Sequence, residues 1–207
     1  MRKWIGVSCV FLGVICILSA IGFVAYNRWE NKNAETIAQD MLADVQSKID
    51  ESKPELSIAD DAVSLPDDME KIPAEMATVE VDGYDSIGIL SIPVLDLELP
   101  VLTDWSYVKL KKAPCHYYGS YYEKDFVIAA HNYQTHFGRL SQLQAGDLVI
   151  FTDVHGADHY YEVALLETLP KDATKEMITS GFDLSLYTCT PGGASRVTVR
   201  CNAVSGL

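Results

Sequence analysis

The chain has 207 residues, 16 of them basic and 29 acidic, for a formal charge of −13. That balance argues against nucleic-acid binding, which needs a basic footprint, and favours a soluble surface facing a neutral or cationic substrate. Hydrophobic residues make up 48% and charged residues 22%, which excludes global disorder, and the length suits one ordinary domain plus attachments.

Residues 1–3 form a short basic stub, and Trp4 to Tyr26 follow without a charge. As a helix at about 1.5 Å per residue, this run covers roughly 34 Å, enough for the hydrocarbon core of a bilayer. Trp4 and Tyr26 stand at its two ends, where interfacial aromatics belong. Arg2 and Lys3 precede it, whereas Arg28 and Lys32 beyond it are mixed with Glu30 and Glu35. The positive-inside rule therefore predicts a single-pass anchor with a cytoplasmic N-terminus and an extracellular remainder. A cleaved signal peptide would have an apolar region of about 7–15 residues and a small-residue cleavage site, and neither is found here.

Residues 27–78 form an attachment region. From Asn31 to Ile49, Ala34, Ile37, Ala38, Met41, Leu42 and Val45 recur at helical spacing and predict a short amphipathic helix. Lys53 to Thr78 is rich in Asp, Glu and Pro and reads as an extended, solvated linker that holds the following domain away from the bilayer.

The pattern changes at Val79, and residues 79–207 read as the folded domain. Ile87 to Leu102 predicts two strands with a turn at Leu95 and Asp96. Further strands are predicted at Phe126 to His131, Asp147 to Asp153, His159 to Leu169, Leu184 to Cys189 and Ser195 to Val204. Short helices are predicted at Ser106 to Lys111, Gly138 to Leu143 and Ala173 to Ile178. Many short strands separated by turn signals predict an all-β barrel or sandwich.

Cys9 and Cys16 lie in the apolar run, leaving Cys115, Cys189 and Cys201 for the domain. Three cysteines leave room for one pair but make no disulfide framework. Cys189 ends a predicted strand and so stands where a substrate can reach it. Taken alone, it reads as the commoner buried structural cysteine. His131 also sits where a predicted strand leaves the core, and a histidine there can pair with a thiol as base and then acid. Its bland alternative is a hydrogen-bonded structural histidine. Arg196 opens the last strand, just past the turn after Cys189. In a hairpin, the residues nearest the turn face each other, so Arg196 lies near Cys189. Arg200 and Cys201 lie about 13 Å further along, so a Cys189–Cys201 bond is not expected. Each arginine alone reads as a surface charge. His131, His136, His155 and His159 lack the ligand spacing of a zinc site.

Together these segments resemble the sortase family. The stretch Leu186-Tyr187-Thr188-Cys189-Thr190-Pro191-Gly192-Gly193, followed by Arg196 and an apolar strand, resembles the family's Cys–Arg segment. The family pattern TLxTC appears as Ser185 to Cys189, with Ser in place of the first Thr. Val127 to His131, with Phe137 to Leu140 and Gly146 to Phe151, is similar to the histidine segment, with Ala130 where Gly is common. The likeness extends over about residues 83–204.

The resemblance implies an all-β fold: a closed eight-stranded β-barrel with short helices, preceded by the transmembrane helix. It implies a cysteine transpeptidase of Gram-positive cells in which Cys189 is the nucleophile, His131 the acid and base, and Arg196 the substrate or oxyanion holder, with Thr188 shaping the substrate site. The implied partners are secreted proteins with C-terminal LPxTG-like sorting signals and an amine acceptor, either a peptidoglycan precursor or a pilin lysine. No cofactor is implied. Some sortases bind calcium, but the spacing of Asp172, Glu176 and Asp183 supports no site. A tethered cysteine peptidase that only hydrolyses, or a non-catalytic peptide-binding barrel, would share many of these features. The loop Thr190 to Ser195 and the connection Pro170 to Asp183 are short, which argues against the class B pattern. The subclass stays open between class D-like and class B-like.

Overall fold

The computed structural model describes residues 2–52 and 75–204, with side chains from residue 11 onward. It opens with α1 (Arg2–Ser52), a single helix of 51 residues. The separate anchor and short amphipathic helix expected from the sequence are therefore continuous. No proline or glycine interrupts the helix between Tyr26 and Ser52. Among the described residues, this is the one helix long and apolar enough to cross a membrane. Phe11, Leu18, Phe23 and their neighbours are exposed on all sides, with no protein covering them.

The second half of α1 behaves differently. Ala34, Ala38, Met41, Val45 and Ile49, spaced at three and four residues, are all buried. Met41, Val45 and Ile49 cluster with Val81, Ile89, Leu102, Ala113 and Cys115 on the outside of the sheet. The helix end is fixed too: the Ser52 hydroxyl donates to the Val154 carbonyl at 3.1 Å, and the Lys48 amine donates to the Glu80 carbonyl. Of the acidic linker, residues 53–74 lie outside the described residues. The chain on either side of them, at Ser52 and Val79, lies against the barrel. The second half of α1 thus packs directly on the domain.

The strands are β1 (Val79–Val81), β2 (Tyr84–Ile92), β3 (Leu97–Leu102), β4 (Cys115–Tyr118), β5 (Phe126–Ala129), β6 (Leu148–Asp153), β7 (Asp158–Pro170), β8 (Leu184–Cys189) and β9 (Ser195–Ala203). Their order runs β2-β3-β4-β5-β8-β9-β7-β6, and β6 pairs back onto β2. That closure makes an eight-stranded barrel, with β1 as an added hairpin strand on β2. Closure removes the exposed edges that would invite aggregation. Two pairings are parallel, β3–β4 and β5–β8.

The interior is filled from both ends of the chain, by Leu90, Phe126, Ile128, Phe137, Phe151, Leu186 and Val199 among others. Each such side chain contributes roughly 1.5–3 kcal/mol when fully buried. Strand β2 is buried on both faces because α1 covers its outer one, so it reads as a continuous apolar run. Gly88 sits at a bulge in β2 with φ +147°, where a Cβ would lie 2.1 Å from the Thr152 carbonyl oxygen. Only glycine fits there.

The short helices fall where expected: α2 (Tyr107–Leu110), capped by the Ser106 hydroxyl, a 3-10 segment at Phe137–Gln142, and α3 (Thr174–Ile178). Strands β1 and β4 were not anticipated. They are only three and four residues long and mix polar with apolar residues, so no apolar run marks them.

Candidate active site

The site is built from three adjacent strands. Cys189 is the last residue of β8 and is exposed. Across the antiparallel β8–β9 pair its partner is Arg196, so the two side chains share one face. On the other flank, β5 runs parallel to β8, with Ala129 opposite Tyr187. The Ala130 amide continues this register by donating to the Tyr187 carbonyl at 3.1 Å. The Thr188 hydroxyl closes the same step by donating to the Ala130 carbonyl at 2.9 Å. His131 is the next residue along, just beyond the end of β5 where the chain leaves the sheet. Neighbouring strands lie about 4.8 Å apart, so Cys189 and Arg196 are direct cross-strand neighbours, and His131 follows the end of the strand on the other side of β8.

Each member is held by local contacts. His131 is half-buried, and its Nδ1 pairs with Asn132 Oδ1 at 3.1 Å. A proton on Nδ1 leaves the lone pair on Nε2. The imidazole stacks on the Tyr133 ring, with centroids 4.1 Å apart and planes 11° from parallel. Burial lowers the His131 pKa; the Asn132 bond and the Glu30 carboxylate oppose that, and Lys111 adds to it. The Arg196 guanidinium donates through Nη1 to the carbonyls of Gly193 and Ser195, both at 3.1 Å. It is thus fastened to the short β8–β9 loop beside the thiol. Thr188 is buried, and its hydroxyl is committed to β5. Its contact is with the backbone that carries His131.

A cleft of about 150 Å³ opens at Cys189 and Arg196. One wall is aromatic. Trp105 meets Tyr117 at 5.9 Å, and Tyr117 meets Tyr187 edge-on at 5.3 Å. The facing wall is Pro170 to Met177, including α3. Ala129 and Ala130 line the cleft, and His131, the next residue, does not. Sequence reasoning missed this aromatic wall. Its only signal was the density of Trp and Tyr in 105–118, a segment whose strand went unrecognised. A larger hollow of about 570 Å³ lies between Tyr121–Lys124 and Asp158–Tyr161, at the far end of β8 and β9 from Cys189.

The other cysteines and Arg200 have structural places. Cys115 and Cys201 are buried free thiols, and burial pushes both up to about 12. Cys201 pairs with Leu184, at the opposite end of the hairpin from Cys189. Arg200 is not a surface charge: it is 2% exposed. It donates to Glu167 Oε1 at 2.8 Å, Ser185 Oγ at 2.8 Å, and the carbonyls of Glu176 and Met177 at 2.8 and 3.3 Å. Those bonds hold α3 against the barrel. Among the described residues, no three His, Cys, Asp or Glu side chains converge as a metal site would require.

This closed eight-stranded barrel matches the fold of solved sortases. A sortase C1 structure from Streptococcus agalactiae superposes with a TM-score of 0.55 at 25% identity, covering 62% of this chain and 72% of that one. Sortase A from Corynebacterium diphtheriae superposes with a TM-score of 0.54 at 24% identity, covering 60% and 63%. In sequence, the chain is 32% identical over 120 residues to sortase D of Bacillus subtilis (strain 168), covering 56% of this chain and 60% of that relative's length. The sortase domain model matches residues 90–204. The chain belongs to the sortase family, whose members are cysteine transpeptidases.

Proposed function

We propose that this protein is a membrane-anchored transpeptidase that cleaves an LPxTG-like sorting signal and transfers the upstream protein to an amine. The observation that supports this reading is the exposed Cys189 directly across from Arg196 on β8 and β9, with His131 just past the end of the adjoining β5. The Cys189 thiolate attacks the carbonyl between Thr and Gly of the signal. The C–N bond breaks, a thioester forms, and the leaving amine takes a proton from His131. The incoming amine then gives a proton to His131 and attacks the thioester. A new amide forms and the thiolate is released. Arg196 stabilises the oxyanion in both steps.

The apolar Leu-Pro portion of the signal fits the aromatic wall of Trp105, Tyr117 and Tyr187. The acceptor is a cell-wall precursor amine or a pilin lysine. The proposed steps use side chains of this chain and no cofactor. With the N-terminus cytoplasmic, the barrel works on the outer face, close to the bilayer.

Product analysis with and without an added amine tests the proposal. The amide product should appear at the expense of hydrolysis as the amine concentration rises. Hydrolysis alone at every amine concentration would favour a tethered cysteine peptidase, and cleavage by Cys189→Ala would contradict both enzyme readings.

A further inference from the structure

The helix that leaves the membrane also touches the histidine loop. In α1, Glu30 and Asn31 lie only four and five residues beyond Tyr26, a rise of about 6–8 Å. The Tyr133 hydroxyl donates to Glu30 Oε1 at 3.0 Å, and the Gln134 amide donates to Asn31 Oδ1 at 3.0 Å. Tyr133 is the ring on which the His131 imidazole stacks. One turn further along α1, Ala34 meets the fully buried His136, whose ring nitrogens lack a full hydrogen bond among the described residues. Three consecutive contacts thus run from one face of α1 to the loop 131–136.

We propose that Glu30 and Asn31 are positioning residues for His131, holding its loop through Tyr133 and Gln134 so that the imidazole stays beside Cys189. The membrane helix is then part of the active site and not only a tether. This inference rests on the reading of His131 as the proton-transfer group.

The geometry explains why the device is needed. His131 lies beyond the end of β5 and has no further strand pairing to fix its direction. Its stacking partner, Tyr133, is 7% exposed and would have a buried, unpartnered hydroxyl without Glu30. The charge of Glu30 also acts on the imidazole. The groups facing His131 are Asn132, Tyr133 and His136 of its own loop, Glu30 of α1, and Lys111 after α2. Cys189 and Arg196 end β8 and open β9, the next two strands of the sheet. Glu30 favours the imidazolium, and Lys111, 3.8 Å from Glu30, opposes it.

The test uses the full chain in detergent micelles, with labelled histidines followed by NMR across pH and turnover of a sorting-signal peptide measured in parallel. His131→Asn assigns the resonance and checks the underlying reading. Glu30→Ala, Asn31→Ala and Tyr133→Phe should each lower kcat by about ten- to a hundred-fold, the scale for a displaced reacting group, with KM little changed. Glu30→Gln keeps an acceptor for Tyr133, so it should retain more turnover than Glu30→Ala while His131 titrates at lower pH. Lys111→Ala should move that titration upward. If His131→Asn is inactive but all four α1 and Tyr133 variants keep wild-type kcat and His131 titration, the inference is overturned while the catalytic reading stands. If His131→Asn keeps full turnover, the catalytic reading itself fails, and the inference falls with it.

Discussion

Arg196 faces Cys189 across β8 and β9, whereas Arg200, on the same strand, faces Ser185 at the other end of the pair. Two arginines four positions apart therefore have separable roles. Arg196→Ala should abolish most turnover and leave the melting temperature nearly unchanged. Arg200→Ala should lower stability by about 3 kcal/mol, since it strands buried partners on Glu167, Ser185 and α3. Thermal melts beside peptide-cleavage rates check this; equal activity losses with equal melts would count against the assignment.

Gly138 sets how closely the histidine loop packs on the 3-10 segment behind it. A Cβ there would lie 2.6 Å from the Asn132 carbonyl oxygen and 2.7 Å from that of Tyr133. The Gly138 amide also donates to the Tyr133 carbonyl at 2.8 Å. Gly138→Ala should displace the loop bearing His131 and lower kcat by about ten-fold or more. Thiol alkylation of Cys189 should persist, because β8 is untouched.

The buried His136 makes the fold acid-sensitive. Burial and the neighbouring His131 lower its pKa from 6.5 to about 4. The unfolded chain therefore binds a proton that the folded chain refuses. This group's contribution is fully present above about pH 6.5 and is lost as pH falls through 6.5 towards 4. At about 1.4 kcal/mol per unit, the loss approaches about 3 kcal/mol. Denaturation midpoints measured between pH 7 and 4 should fall less steeply in His136→Gln than in the wild type.

The outer cluster predicts that α1 is needed for folding. Met41 is 2% exposed and packs among Ile89, Leu102 and Cys115. Met41→Ala should cost about 2 to 5 kcal/mol. A chain starting at residue 75 should expose this cluster and bind a hydrophobic dye; a truncated barrel with an unchanged melt would argue that α1 docks weakly.

The sequence made some of this site legible and hid the rest for physical reasons. Cys189 and Arg196 flank a single turn, so hairpin register alone placed them together. The barrel strands showed through apolar runs bounded by turn signals, except β1 and β4, whose short stretches Val-Glu-Val and Cys-His-Tyr-Tyr carry no such run. The end of β5, where His131 follows, is brought to the strand of Cys189 by the parallel β5–β8 pair, whose partners are far apart in the chain, and no local spacing encodes that. The docking of α1 was half visible: the apolar stripe from Ala34 to Val45 could be read, but not its partner. Arg200 was misjudged because residue type says surface, whereas its burial depends on four acceptors drawn from three segments.

The most direct test of the central claim is mass spectrometry of the full chain after incubation with sorting-signal peptides. The account predicts an adduct on Cys189 with the mass of the acyl fragment ending at Thr, discharged by an added amine and absent in Cys189→Ala. Peptide cleavage without such an adduct, or undiminished in Cys189→Ala, would contradict it.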